Sequence, residues 1–119
     1  MRLTIQFRGG ESDSAEAEAL RAHVERRIGF ALARFSDELG SVLVRLDDLN
    51  GPRGGIDKRC RVLMRGPSFG ERVVEEVDSA WAPVIDRALS LAGRAVARAL
   101  ERGRVERAGD GVRRWQEGA

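Results

Sequence analysis

Reactive side chains are scarce in this 119-residue sequence, which holds one cysteine, Cys60, and one histidine, His23. A lone cysteine excludes an internal disulfide and a zinc site built from several cysteines, and it suits a reducing cytosol. No serine or cysteine nucleophile is evident as a partner for His23. We therefore predict that this histidine lies at the edge of a buried helix stripe and is not a catalytic base. We expect no enzyme activity, no metal, no cofactor and no small-molecule substrate.

Long apolar runs are also missing. No run approaches the ~18 residues of a membrane-spanning helix, and the N-terminal stretch MRLTIQFRGG lacks the apolar segment of a secretory signal. These absences predict a cytoplasmic protein that does not contact a membrane. The glycine-rich stretch NGPRGG (50–55) lacks the Gly-Lys-Ser/Thr ending of a P-loop and a helix after it. We therefore do not expect it to bind nucleotide phosphates.

Apolar and polar residues alternate in three short segments, which is the period of half-buried strands, and ERVVEEV (71–77) is predicted as a fourth strand. The predicted strands are residues 3–7, 42–46, 60–64 and 71–77. In the third segment Cys60 alternates with Val62 and Met64, so we expect the thiol to pack in the core. Turn-forming residues predict a loop at DDLNGPRGG (47–55) and a turn at GPSFG (66–70).

A first helix is predicted between the first two strands. Asp13 followed by Glu16 resembles a capping box, and Ser12 and Ser14 are alternative N-caps. Gly40 is the expected stop signal. The predicted apolar stripe, which reaches the expected end of the helix, consists of Leu20, Val24, Ile28, Ala31 and Phe35.

A second helix is predicted after the fourth strand, with Asp78 or Ser79 as its N-cap. Pro83 falls in the first turn, where proline is tolerated. Trp81 is expected to anchor the helix start against the sheet, and the helix is expected to end near Gly103. The predicted buried face consists of Ile85, Ala88, Leu89, Ala92, Val96 and Ala99.

The predicted element order is β-α-β-β-β-α. Two helices with one apolar face each suit one face of a four-stranded sheet, which makes an α+β sandwich. We expect one domain over residues 1–104 and a flexible, polar and glycine-rich tail over residues 105–119.

The net charge of +2 says little about a partner, but the charge is unevenly distributed. Residues 1–40 hold six arginines and seven acids, and residues 41–80 hold seven basic and seven acidic groups. Residues 81–107 hold six arginines against three acids, an excess of +3. The positive excess therefore lies on the predicted second helix.

Three arginines of that helix, Arg94, Arg98 and Arg102, follow one another at four-residue spacing and so line one side. Arg87 shares this side, roughly opposite the apolar face. Like charges at this spacing repel by a few tenths of a kcal/mol per pair. The stripe therefore costs some helix stability.

The first helix carries Arg26, Arg27 and Arg34 on one flank, whereas Glu18 and Glu25 occupy the other. If both helices cover the same sheet face, their basic flanks can join into one surface. Such a surface suits an RNA backbone. An ordinary solvated helix face is the alternative, and the charge pattern leaves both interpretations open.

Three longer stretches are distinctive. They are LRAHVERRIGFALARF, VRLDDLNGPRGGIDKRC and AWAPVIDRALSLAGRAVARALERGR, and NGPRGGIDKRC is the most distinctive part. Together they resemble the ribosome hibernation promoting factor family, also called ribosome-associated inhibitor or sigma-54 modulation protein. The resemblance covers about residues 1–104 and implies a β-α-β-β-β-α fold similar to double-stranded-RNA-binding domains.

The resemblance also implies a function. Proteins of this family bind the small ribosomal subunit across the tRNA and mRNA path, contact 16S-type rRNA and silence bacterial translation under stress or in stationary phase. By position, Arg27 and the arginines of the second helix match the basic sites of the family, and the charge pattern adds two more from the first helix. The candidate RNA-binding residues are Arg26, Arg27, Arg34, Arg87, Arg94, Arg98 and Arg102.

The sequence departs from the family at two points. Trp81, followed by Pro83, stands near the position where the second helix of the family commonly opens with tyrosine. The chain also resembles a short form, without the C-terminal dimerisation domain of many members. Two other functions stay open: a general binder of structured RNA, and a protein-binding regulator of the sigma-54 modulation type.

Overall fold

The computed structural model describes residues 1–9, 14–49 and 57–108, with side chains described up to residue 102. The strands are β1 (Arg2–Arg8), β2 (Ser41–Asp48), β3 (Lys58–Gly66) and β4 (Gly70–Asp78). The helices are α1 (Ala15–Ala31), a short 3-10 helix (Ala33–Phe35) and α2 (Trp81–Ala108). This order confirms the predicted β-α-β-β-β-α fold and its α+β class.

The N-cap of α1 is Ser14, whose side-chain oxygen accepts the backbone N–H of Ala17 at 3.1 Å. A serine hydroxyl in this position satisfies one of the donors that a helix start leaves unpaired. The capping box predicted at Asp13 is therefore wrong, and the alternative cap at Ser14 is confirmed.

The end of α1 also differs from the prediction. The α-helix stops at Ala31, and a 3-10 turn carries the chain to Phe35. Leu32 and Leu39, which flank this turn, are both buried in the core. The tighter turn directs both leucines inward, so the α-helix ends before Phe35, where the prediction placed its end.

The start of α2 lacks the predicted side-chain cap. Oδ1 of Asp78 accepts the backbone N–H groups of Ser79 and Ala80, and so it stabilises the turn before the helix. Trp81 is half-buried against the core, which confirms its predicted role as an anchor. The Lys58 ammonium lies 5.6 Å from the centre of the Trp81 ring.

The far end of α2 extends beyond the predicted stop. The helix continues through Gly103 to Ala108. A single interior glycine costs only about 1 kcal/mol of helix stability, and good helix formers flank it here. The tail predicted over 105–119 thus overlaps α2 as far as Ala108, and its remaining residues lie outside the described part of the chain.

The sheet has the strand order β1-β2-β3-β4. β1 pairs in parallel with β2, and α1 makes the connection between them, whereas β2, β3 and β4 are antiparallel neighbours. The predicted turn at 66–70 is confirmed, and Gly70 there has φ +79°, which glycine adopts without strain. β2 extends to Asp48, so the loop predicted over 47–55 begins later; residues 50–56 lie outside the described part.

One face of the sheet carries the core. Every second side chain of β2 and β3 is buried there, namely Val42, Val44, Leu46, Cys60, Val62 and Met64. Val24 and Ile28 of α1 belong to the same cluster, and the six residues predicted as the buried face of α2 are all buried. Both helices therefore cover this one face, and the opposite face of the sheet is left open.

The two helices meet at small residues. Gly93 of α2 is buried, and a Cβ atom added there would lie 2.9 Å from the carbonyl oxygen of Ala31. Gly29 of α1 is exposed, and an added Cβ would meet nothing within 4 Å. Gly93 therefore sets how closely the helices approach, whereas Gly29 has no such role in the folded chain.

These two glycines make a matched pair for a stability test. Alanine gains up to about 1 kcal/mol over glycine in helix propensity at either position. Gly93→Ala must also push the helices apart, and overpacking costs about 1–3 kcal/mol. Urea denaturation should therefore show a net loss of about 1 kcal/mol for Gly93→Ala and a gain of about 0.5–1 kcal/mol for Gly29→Ala. Equal stabilisation by both substitutions would contradict the close contact.

Candidate nucleic-acid interface

Within the described residues, the metal-binding and reactive side chains do not indicate a metal site or a reactive site. No group of three or more His, Cys, Asp or Glu side chains there is placed to hold a metal ion. Cys60 lies in the core as predicted, and burial, together with nearby Asp47, raises the pKa of its thiol to about 12. The thiol is therefore protonated and inert at neutral pH. Across the same residues, no helix has the length and apolar character needed to cross a membrane.

His23 takes part in a bridge between the two helices. Its Nε2 donates to Oδ1 of Asp86 on α2 at 2.8 Å, and Nε of Arg27 lies 3.3 Å from the same oxygen. Nη2 of Arg26 contacts the other ring nitrogen at 3.5 Å. Asp86 therefore draws two side chains of α1 toward α2. His23 lies at the edge of the buried stripe of α1, as predicted.

Arg87 differs from the rest of the candidate stripe on α2. Its guanidinium donates to Oδ2 of Asp78 at 2.7 Å, to Oε1 of Glu76 at 3.0 Å and to the carbonyl oxygen of Val77 at 2.9 Å. The hydrogen bond from Arg87 lowers the pKa of the Asp78 carboxyl, and Asp78 in turn raises the pKa of Arg87. Arg87 therefore ties α2 to β4, and most of its charge is already compensated.

The other arginines of the stripe are uncompensated. Arg94, Arg98 and Arg102 are exposed, and none of them makes an ion pair or a side-chain hydrogen bond among residues with described side chains. On a helix of 3.6 residues per turn, Arg94 and Arg98 share the side of Arg87. Because Asp86 faces α1, this stripe lies on the solvent side of α2, away from the helix crossing.

The candidates of the predicted first helix, two on α1 and Arg34 on the 3-10 turn that follows it, fall into two groups. Arg26 and Arg34 are exposed, although the Arg34 guanidinium lies 4.6 Å from the centre of the Phe35 ring. Arg27 is half-buried and paired with Asp86. The predicted set of seven therefore divides into five cations without an acidic partner among the described side chains and two, Arg27 and Arg87, that help to hold the fold.

The open face of the sheet carries charges of both signs in cross-strand pairs. Arg59 lies 2.9 Å from Asp47, Arg61 lies 3.1 Å from Glu75, and a third pair joins β3 to β4. The third pair is Arg65 with Glu71 at 2.8 Å. The acids of this face thus neutralise the arginines of β3. Three arginines of this face make no ion pair with a described residue and were not among the predicted candidates: Arg2 and Arg8 on β1, and Arg45 on β2.

One exposed aromatic residue was also missed by the sequence analysis. The Phe30 side chain is 80% exposed on α1, with Arg26 one turn before it and Arg27 5.8 Å from the ring centre. The sequence held the information needed to predict this exposure, since Phe30 is not part of the predicted buried stripe that contains Val24 and Ile28. An aromatic residue among arginines suits the binding of nucleic acid bases.

The Arg87–Asp78 pair leads to a prediction about titration. In Arg87→Gln, the pKa of Asp78 should rise toward its ordinary value of 3.8 and stay somewhat below it, because the Ser79 N–H still donates. The folded-state pKa is the lowered one, so the pair stabilises the protein above the ordinary pKa and this contribution disappears as the pH falls through the lowered value. Carbon-detected NMR titration of the Asp78 carboxyl checks the shift. Wild type should be more stable than the variant at neutral pH, and the difference should narrow in strong acid, where Arg87 keeps its hydrogen bond to the Val77 carbonyl.

Comparisons with known proteins support the fold at the level of structure. No protein-family model matches the chain, and no curated protein matches it in sequence. The N-terminal domain of Protein Y from Thermus thermophilus is similar in structure, with 24% identity, a TM-score of 0.62 and coverage of 82% of this chain and 98% of that chain. A ribosomal subunit interface protein from Coxiella burnetii is similar at 13% identity and a TM-score of 0.66, with coverage of 82% and 96%. The chain therefore shares its fold with these two proteins, as expected from its resemblance to the ribosome hibernation promoting factor family.

Proposed function

We propose that this protein is a non-catalytic, cytoplasmic member of the ribosome hibernation promoting factor family that binds the small ribosomal subunit and silences translation under stress or in stationary phase. The observation that carries the proposal is the stripe of Arg94, Arg98 and Arg102, exposed and without acidic partners among the described side chains. Arg26 and Arg34 are exposed as well and add positive charge.

The chemistry of RNA supports this surface as the binding face. A-form RNA presents phosphates and 2′-hydroxyls to a protein, and its deep major groove hides the base edges. A cation that already holds an acid must lose that partner to bind a phosphate, whereas the three stripe arginines need only release water and counterions. Arginine also offers a planar fork that can bind two phosphate oxygens.

Translation is silenced when the protein occupies the tRNA and mRNA path, and this requires no reactive group. A protein bound across the tRNA and mRNA path excludes both ligands for as long as it stays bound. The resemblance implies this location. The name of one similar solved structure, a ribosomal subunit interface protein, also supports this location. Release would then be set by affinity, and therefore by salt and by the number of phosphate contacts.

Sedimentation tests the partner directly. Purified protein is mixed with bacterial small subunits, or with a matched mass of structured RNA lacking ribosomal sequence, and is centrifuged through sucrose at low and high salt. The proposal expects the protein to sediment with the subunits at low salt and to leave them at high salt. Equal affinity for both RNAs would favour a general structured-RNA binder. Salt-insensitive binding to one protein would favour a protein-binding regulator, and a protein that stays at the top of the gradient would contradict ribosome binding.

The stripe itself predicts a salt effect. Replacing Arg94, Arg98 and Arg102 together by glutamine keeps helix propensity nearly unchanged and removes mutual repulsion, so the fold should survive. If each arginine neutralises one phosphate, affinity for small subunits should fall. The slope of log K against log salt should then shrink by about two to three units. Binding isotherms at several salt concentrations give both values.

A second triple variant controls for net charge. Arg2, Arg8 and Arg45 lie on the open sheet face and make no ion pair with a described residue, so changing all three to glutamine removes the same charge. This variant should keep most of the salt slope. Similar losses in both triple variants would mean that total charge, and not the helical stripe, determines binding.

A further inference from the structure

Phe30 is the most exposed large hydrophobic side chain of the described residues, at 80%. A phenylalanine ring in water leaves apolar surface unburied, and burial of that surface would be favourable. In the described fold, the cation that lies over this ring is the Arg27 guanidinium, 5.8 Å from its centre, and it leaves most of the ring exposed. Its exposed surface is therefore available for contact with something outside the described fold.

The surroundings of Phe30 are cationic and open. Arg26 lies one helical turn before it and is exposed, and the Arg27 guanidinium lies 5.8 Å from the ring centre.

The other exposed hydrophobic side chains of the described residues do not combine with Phe30 into one apolar patch. The other exposed large hydrophobics are Met1, Leu49, Val73 and Val77. None of these lies on α1, and Val73 and Val77 belong to the exposed side of β4. A protein partner usually needs a contiguous apolar area, which Phe30 alone does not offer. Phe35 is half-buried and already covered by Arg34, so it is not an equivalent ring.

We infer that Phe30 is a stacking platform for one unpaired base of the bound RNA, with the Arg26 side chain beside the phosphates that flank this base. The inference rests on the proposed function and adds a contact that does not depend on charge. Every base has a π-face, so a phenylalanine platform accepts any of the four, with an advantage for purines because they stack over a larger area. A ring surrounded by guanidinium groups also allows an arginine to lie against the same base.

The first experiment compares Phe30→Ala, Phe30→Leu and Phe30→Tyr in binding to purified bacterial small subunits. Alanine and leucine should each weaken binding by about tenfold, and tyrosine should restore it, because stacking needs a ring. The salt slope should remain that of wild type, since no phosphate contact is removed. Circular dichroism and thermal melting should match wild type, as expected for a side chain this exposed.

The second experiment uses two short RNA probes of equal length, oligoadenylate and an abasic oligomer that keeps the sugars and phosphates. At low salt, wild type should prefer the oligoadenylate by about tenfold. Phe30→Ala should bind both probes equally, whereas the stripe triple variant should weaken both and keep the preference. This pattern separates base stacking from backbone attraction.

The outcomes distinguish the inference from the function on which it rests. If wild type binds small subunits and Phe30→Ala binds them equally well, the stacking contact is wrong and ribosome binding stands. If wild type binds no subunit, the proposed function is wrong whatever Phe30 does. If Phe30→Leu binds as well as Phe30→Tyr, or if Phe30 governs a salt-insensitive contact with a protein, the occupant is an apolar partner and not a base.

Discussion

The close contact between α1 and α2 determines how this molecule presents its charges. Gly93 lies against the backbone of Ala31, and Asp86 draws His23 and Arg27 of α1 toward α2. A shared carboxylate between two helices fixes their rotation as well as their separation. Because the apolar sides then face the sheet, the unpaired arginines of both helices are left on the solvent side.

Two kinds of cation result from this packing. Arg27 and Arg87 are held by carboxylates at helix–helix and helix–sheet contacts, and Arg59 is likewise held on the open face of the sheet. Arginine suits this role because several donors in one plane can satisfy more than one acceptor. The stripe on α2 has no such partners among the described side chains. Its mutual repulsion is a local cost that an anionic ligand would relieve.

Charge and stacking contribute differently to the recognition of RNA. Arginine contacts with phosphate are long-range and weaken with salt, so they govern encounter and general affinity. A stacking ring acts only at contact and only on a base that is free of its neighbours. A surface that combines both is suited to RNA whose backbone is folded and whose bases are partly unpaired. Ribosomal RNA has both features.

Periodicity in the sequence was enough to predict most of the fold. Alternation located the first three strands, and helical spacing identified the buried face of α2, from Ile85 to Ala99, because burial on one side imposes these periods directly. The ends of the helices were harder to predict. Ser14, and not Asp13, is the N-cap of α1, and α2 continues through Gly103. Differences of about 1 kcal/mol decide where a helix begins or ends.

The candidate site was only partly predictable, because a charge pattern does not say which cations are already paired. The sequence located the seven arginines, but the tertiary structure placed Asp86 beside Arg27, and Glu76 and Asp78 beside Arg87. These partners are distant along the chain and meet only when α2 packs on α1 and β4. The sequence by itself determined the elements, their buried faces and the location of the positive charge. Only tertiary packing decided which of those charges remain free, because pairing depends on the distance between side chains in space.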